Sequence, residues 1–322
     1  MNFKRLTQRI VFCGVLVPGS VQLGFGQTIG PEVNYEKVAL LKWYTASQSN
    51  NTFAVGTQPQ GMAFDGANVW VTNYNDGTVT KLRAADGANL GTFQVGFNPN
   101  GVAFDGAHVW VANGGSYTVT KLRAADGANV GTFKVGSHPT GVAFDGTNIW
   151  IVNAASNNVT KLRAADGANL GTFSVGTGPT WVAFDGANVW VTNLLSNNVT
   201  KLRVADGASL GTFNVGGGPE GVAFDGGSIW VANASNNTVT KLRAADGATL
   251  GTFNVGLVPV GVVFDGRNIW VANSYDNNVT KLRVADGANL GTFNVGASPQ
   301  GVAFDGANIW VANSAGGSVS KL

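Results

Sequence analysis

The sequence predicts an all-β protein, a seven-bladed β-propeller with four antiparallel strands per blade. Three observations predict it. A proline recurs at Pro59, Pro99, Pro139, Pro179, Pro219, Pro259 and Pro299, a 40-residue period without one insertion. A tryptophan keeps the same period from Trp70 to Trp310. Each unit holds four short runs rich in β-branched and aromatic residues, and no stretch sustains a helical period.

The elements follow in chain order. Lys4, Arg5 and Arg9 precede the apolar run Ile10 to Val17, which Pro18 and Gly19 break. Gly24 and Gly26 are the small residues a cleavage site needs, so residues 1–26 read as a secretory signal peptide. That run is too short to cross a bilayer. Cys13 is the one cysteine and would leave with the signal peptide, so no disulfide is expected. Phe12 stands where a lipid-anchored cysteine needs a small neighbour. Residues 27–49 form an N-terminal lead, and the propeller spans residues 50–322.

Within each unit, "GVAFD" suits a strand buried on both faces, "NIWVAN" and "TVTKLR" suit the middle strands, and "GTFNV" suits the outer one. Asp65-Gly66 and Asp86-Gly87 are read as tight hairpin turns of type I′. Gly-x-x-Pro marks the passage between units. The last unit stops at Leu322, before its fourth strand. Thr52, Phe53, Val55 and Gly56 stand 40 residues ahead of Thr92, Phe93, Val95 and Gly96. An N-terminal strand is therefore expected to complete the last blade and cover its open edge. The place of "VALLKWY", Val38 to Tyr44, stays open, because "SVSKL" takes the equivalent position. A β-solenoid is the alternative architecture, but it needs polar caps that this chain lacks.

The pattern P-x-G-V-A-F-D-G-x-N-I-W-V-A-N…N-N-V-T-K-L resembles the YVTN-type propeller repeat of bacterial exported proteins over residues 57–322. More distantly it is similar to NHL repeats and to streptogramin B lyase propellers. The YVTN resemblance implies interaction at the cell surface or in the periplasm. The lyase resemblance implies a His and Glu set around a bound Mg²⁺. This chain departs from that set: the position three after each tryptophan is asparagine, from Asn73 to Asn313.

Strand order sends both Asp-Gly turns to one face, and the proline loops and second-to-third-strand loops to the other. "FDG" is the same in seven copies and "ADGA" in six, so that face reads as structural. The opposite face varies, and loops on a rigid scaffold are where binding sits. Trp181 replaces a glycine found in the six other blades and should stand near the mouth of the channel. Leu194 and Leu195 flank it. Tyr74, Phe97 and Tyr117 form a second apolar sector, and Leu257, Val258, Val260 and Tyr275 a third. Trp and Tyr are favoured anchors of binding surfaces.

Residues for catalysis are few. Glu220 is the only glutamate of the repeat region, and His138 is the one histidine on the variable face. They form the single acid–base couple available. His108 lies in an Asp-Gly turn. The seven asparagines read as caps bonding their own turns, the tryptophans as packing between blades, and the Lys81, Arg83, Asp65 and Asp86 pattern as modest salt bridges. A net charge of +2 gives no footprint for nucleic acid. No metal, cofactor or catalytic residue is assigned. The expectation is an exported monomer, secreted, periplasmic or cell-surface, that binds a protein or glycan at the cell envelope through Trp181, Leu194, Leu195, Tyr74, Phe97, Tyr117, Glu220 and Tyr275. The alternatives are a metal-dependent lyase or lactonase-like enzyme at the channel mouth, or a structural surface-layer component.

Overall fold

A computed structural model describes residues 51–322. The expectations for residues 1–26 and 27–49 fall outside them. The described residues form seven antiparallel sheets of four strands each, closed in a ring. The fold is the predicted propeller. In the first blade the strands are Pro59–Phe64, Asn68–Asn73, Thr78–Arg83 and Asn89–Gln94, from the axis outwards, and the next five blades repeat this order.

The seventh blade is built from both ends of the described chain. Its sheet runs Pro299–Phe304, Ile309–Asn313, Ser318–Lys321 and then Asn51–Ala54. Phe53 pairs with Val319 and Asn51 with Lys321, as the register of "NTFAVG" requires. Lys321 adds a further tie, since its Nζ donates to Ala84 O at 2.7 Å in the first blade.

The two Asp-Gly turns differ from the expected type I′. At the first, only Gly66 has a left-handed φ, 97°, while Ala67 does not. Gly alone at the first central position is the type II′ pattern, so two positive φ values are not needed. The second is a longer loop: Arg83 N donates to Ala88 O and Gly87 N back to Arg83 O.

Each core lies between blades. Trp70 and Val79 pack on Val102, Val109, Val111 and Leu122 of the next blade, and Trp310, Val319 and Phe53 pack on Val69 and Leu82 across the closing seam. The tryptophans are indeed packing residues, and they carry more. Trp70 Nε1 donates to Asp65 Oδ2 at 2.8 Å. Lys81 Nζ sits 5.1 Å from the same ring centroid and donates to Ala124 O, 2.7 Å away in the next blade. The lysine is therefore a strut between blades. Of the expected salt bridges only Arg83–Asp86 exists, at 2.9 Å and exposed, while Asp65 serves Trp70 and the turn.

The asparagine series corrects its expectation too. Asn73 does not cap its own turn. Its Oδ1 accepts from Gly56 N at 3.0 Å, and its Nδ2 donates to Thr78 Oγ1 and Thr80 Oγ1, both at 2.9 Å. It pins the inter-blade loop to the second and third strands, as Asn113 and Asn273 do, whereas the Oδ1 atoms of Asn153, Asn193, Asn233 and Asn313 are buried without a partner. In those three blades the loops of the variable face are thereby tied to the rigid sheets beneath them.

Candidate functional site: the variable face and the axial mouth

The proline loop and the second-to-third-strand loop of each blade lie together. Tyr74 N donates to Gln58 O at 3.1 Å, and Gly114 N to Asn98 O at 2.9 Å. In four blades an asparagine with left-handed backbone reaches the next blade. Asn157 Oδ1 accepts from Gly178 N, and Asn237 Oδ1 from Val258 N. Tyr117 takes that position in the second blade with φ 57° and carries no such bond.

Four of the predicted residues stand clear at the rim. Phe97 is 75% exposed, Tyr275 74%, Leu195 66% and Tyr117 54%. Leu194 and Tyr74 are half-buried. Leu195 lies against Gly178, and Phe97 lies beside Gly115. Phe97 and Tyr117 share the second blade, where Phe97 N donates to Ser116 Oγ, while Leu195 stands on the fourth and Tyr275 on the sixth.

Trp181 and Glu220 sit inward, on neighbouring inner strands. In every blade the register shifts between the proline and the residue three further on, as between Pro219 and Val222. In six blades the residue after the proline lines the mouth of the channel; the exception is the buried Thr140. Gln60, Asn100, Thr180, Glu220, Val260 and Gln300 share a cavity of about 250 Å³ with Trp181. Below it the channel narrows to about 50 Å³ between Met62, Val222, Val262 and Val302. Trp181 lines both. Glycine is required at the equivalent position elsewhere, because a Cβ on Gly61 would collide with Asn100 O of the next strand. Trp181 N donates to Thr192 Oγ1 at 3.0 Å, as Gly61 N does to Thr72 Oγ1 in the first blade.

Thr192 and Thr180 belong to the site and were not singled out from the sequence. Thr192 Oγ1 donates to Glu220 O at 2.7 Å, and Thr180 Oγ1 to Pro219 O at 3.2 Å. The signal was available, since the Thr192 position is alanine or valine in five blades. Burial pushes the Glu220 carboxyl up to about 7, with no hydrogen bond or cation opposing it. His138 lines neither cavity; its ring lies beside Gly114. The structure does not bring the expected acid–base couple together. His108 Nδ1 is 3.3 Å from Asp105 Oδ2 on the turn face.

Among the described residues no group of three or more His, Cys, Asp or Glu could hold a metal ion. One carboxylate among amides, hydroxyls and an indole does not supply what Mg²⁺ requires. No described helix is long and apolar enough to cross a membrane.

No protein-family model matches the sequence, and no curated protein matches it. The fold is similar to known structures. A catalytically inactive virginiamycin B lyase from Staphylococcus aureus, solved with quinupristin, matches with TM-score 0.73 and 17% identity over 84% of this chain and 97% of that one. A streptogramin B lyase structure matches with TM-score 0.73 and 17% identity over 84% and 96%. Kuenenia stuttgartiensis hydrazine synthase matches with TM-score 0.74 and 18% identity over 85% and 98%. These likenesses show the same propeller fold.

Proposed function

We propose that this propeller is an exported, non-enzymatic binding protein, and that it takes a protein or glycan partner of the cell envelope on its variable face. The observation that carries the reading is strain. Tyr117 and Val258 hold left-handed backbones at φ 57° and 53°, where a large or β-branched residue is disfavoured. Other blades place asparagine or glycine at the Tyr117 position, as at Asn157 and Gly77; at the Val258 position they carry Gln58, Asn98, His138, Gly178, Gly218 and Ser298, none of them β-branched. Both residues are exposed, so packing does not account for them. Strain retained at an exposed apolar residue points to use. The basic start and apolar run of residues 1–26 support export.

The test replaces rim residues with those that other blades already carry: Phe97→Thr, Leu195→Ser and Tyr275→Ser in one chain. The labelled full chain is measured against isolated cell envelopes. At least tenfold weaker binding by the triple variant, with an unchanged melting temperature, is expected; equal binding refutes the rim. Amino-terminal sequencing of the protein outside the cytoplasm checks export, and an intact Met1 counts against it.

The lyase-like fold favours a second reading, a metal-dependent enzyme at the channel mouth. The donor set there counts against it. Tight stoichiometric Mg²⁺ binding abolished by Glu220→Ala would restore it. The exposed outer-strand residues Leu90, Leu170, Leu210, Leu250 and Leu290 favour a third, assembly into a surface layer. Sedimentation of a single species at the monomer mass would remove that reading.

A further inference from the structure

The axial mouth has a chemistry that the rim does not share. Glu220 is the only ionisable residue on the seven inner strands. No described residue donates a hydrogen bond to its carboxylate or pairs with it. Most of the polar groups around it already donate elsewhere; the Asn100 carboxamide and the Trp181 indole N–H do not. Gln60 Nε2 donates to Ser314 Oγ at 3.2 Å, and Gln300 Nε2 to Ser274 Oγ at 2.9 Å. Their carboxamide oxygens remain unspent. Thr180 and Thr192 spend their hydroxyl protons on the backbone of Pro219 and Glu220. The mouth therefore offers the Glu220 carboxylate and two unspent carboxamide oxygens as acceptors, beside one indole, and its one charge is negative.

We propose that this mouth binds a small organic cation bearing a primary ammonium, with Glu220 as its counter-ion and Trp181 as its aromatic wall. An ammonium brings three donors for the Glu220 carboxylate and the carboxamide oxygens of Gln60 and Gln300. An indole face attracts such a cation, most strongly where water is excluded. An anion meets the Glu220 charge. A bare divalent ion lacks the second carboxylate it needs. The cavity of about 250 Å³ suits a short alkyl chain behind the charged head. The proposal goes beyond the rim reading and does not depend on it, because it concerns the axis and a free small molecule.

Thr72 makes the Thr192 bonds in the first blade and Thr140 the Thr180 bond in the third, but only at Thr180 and Thr192 do such bonds hold an indole and a carboxylate together. These two fix the Glu220 backbone from the Trp181 strand, so carboxylate and indole are held on adjoining strands. No other titratable group lines the cavity. Glu220, raised to about 7, is then about one-tenth ionised at pH 6 and nine-tenths at pH 8. An alkylammonium stays charged throughout. Affinity should accordingly rise roughly tenfold across that interval.

The full chain is titrated calorimetrically with n-butylammonium chloride at pH 6 and pH 8. One site per chain is expected, with a Kd in the millimolar range or tighter at pH 8 and roughly tenfold weaker at pH 6. Glu220→Gln installs the residue of Gln60 and Gln300, and Trp181→Gly that of the six other blades, so both variants should fold. Each should weaken binding at least tenfold, while Tyr275→Ser leaves it unchanged. Melting curves confirm the fold; if Trp181→Gly unfolds, Glu220→Gln decides alone. The proposal is overturned by an absent heat of binding, by equal affinity in Glu220→Gln, or by Mg²⁺ or Ca²⁺ displacing the amine.

Discussion

Val258 shows what a single residue reveals in a repeat. At φ 53° it holds a conformation that Asn98 holds at φ 50° in the second blade. A β-branched side chain there costs about 1–2 kcal/mol. Val258→Asn should therefore raise stability by about 1 kcal/mol, read by urea denaturation. Tyr117→Asn should stabilise by a similar amount, because asparagine there can accept the bond that Asn157 accepts from Gly178 N. Loss of stability in both variants would remove strain as an argument for the rim. Glu220 gives a pH signature of its own. Its carboxyl titrates near 7 when folded and near 4.5 when unfolded, so its contribution is most favourable below pH 4.5 and declines as pH rises to 7. Glu220→Gln should leave stability almost unchanged at pH 4 and raise it by about 1–3 kcal/mol at pH 8. A gain of equal size at both pH values would contradict the burial of this group.

At the scale of the element, each blade holds one indole bonded to its own carboxylate, and in six blades a lysine beside that indole bonds a carbonyl of the next blade. Burial raises the Asp145 carboxyl, but Trp150, Asn148 and the backbone N–H groups of Asn148 and Thr147 donate to it and hold it below its usual value. Five sister carboxylates, Asp65, Asp105, Asp185, Asp265 and Asp305, are lowered likewise. Their stabilisation is complete above the unfolded pKa of 3.8 and is lost as pH falls through the folded one. Asp145→Ala strands the buried Trp150 Nε1 and should cost about 2–3 kcal/mol at pH 7 and much less at pH 2. These links show where reading the sequence runs out. A 40-residue period fixes strands, blade count and closure, because each strand repeats its own pattern. It does not show partners that lie in the next blade. Lys81 bonds a carbonyl 43 residues on, and Asn73 an amide 17 residues back. Identical residues announce a shared task without naming what they touch. Glu220 was legible as the odd residue of its series, whereas its isolation from every donor appears only once the ring is closed.

At the scale of the whole molecule, stability is divided among seven similar seams, and one of them is different in kind. Six blades are continuous in sequence, while the seventh joins Asn51–Ala54 to Ser318–Lys321. Deleting residues 50–56 removes Phe53, which packs against Trp310 with ring centroids 5.5 Å apart, and exposes a strand edge. The melting temperature should fall by more than about 10 °C, given several degrees per kcal/mol lost, and an unchanged melt would show that the ring does not need its clasp. The clasp also sets an order of events. Its partners are separated by nearly the entire described chain, the costliest contact to form by diffusion of the backbone. Six blades can assemble as the chain emerges, each on the one before, but the circle cannot shut until Ser318–Lys321 arrives. Until then the ring is an open arc with its first strand unpaired, so arrival of that one strand, rather than collapse of any one blade, is the event that shuts the circle.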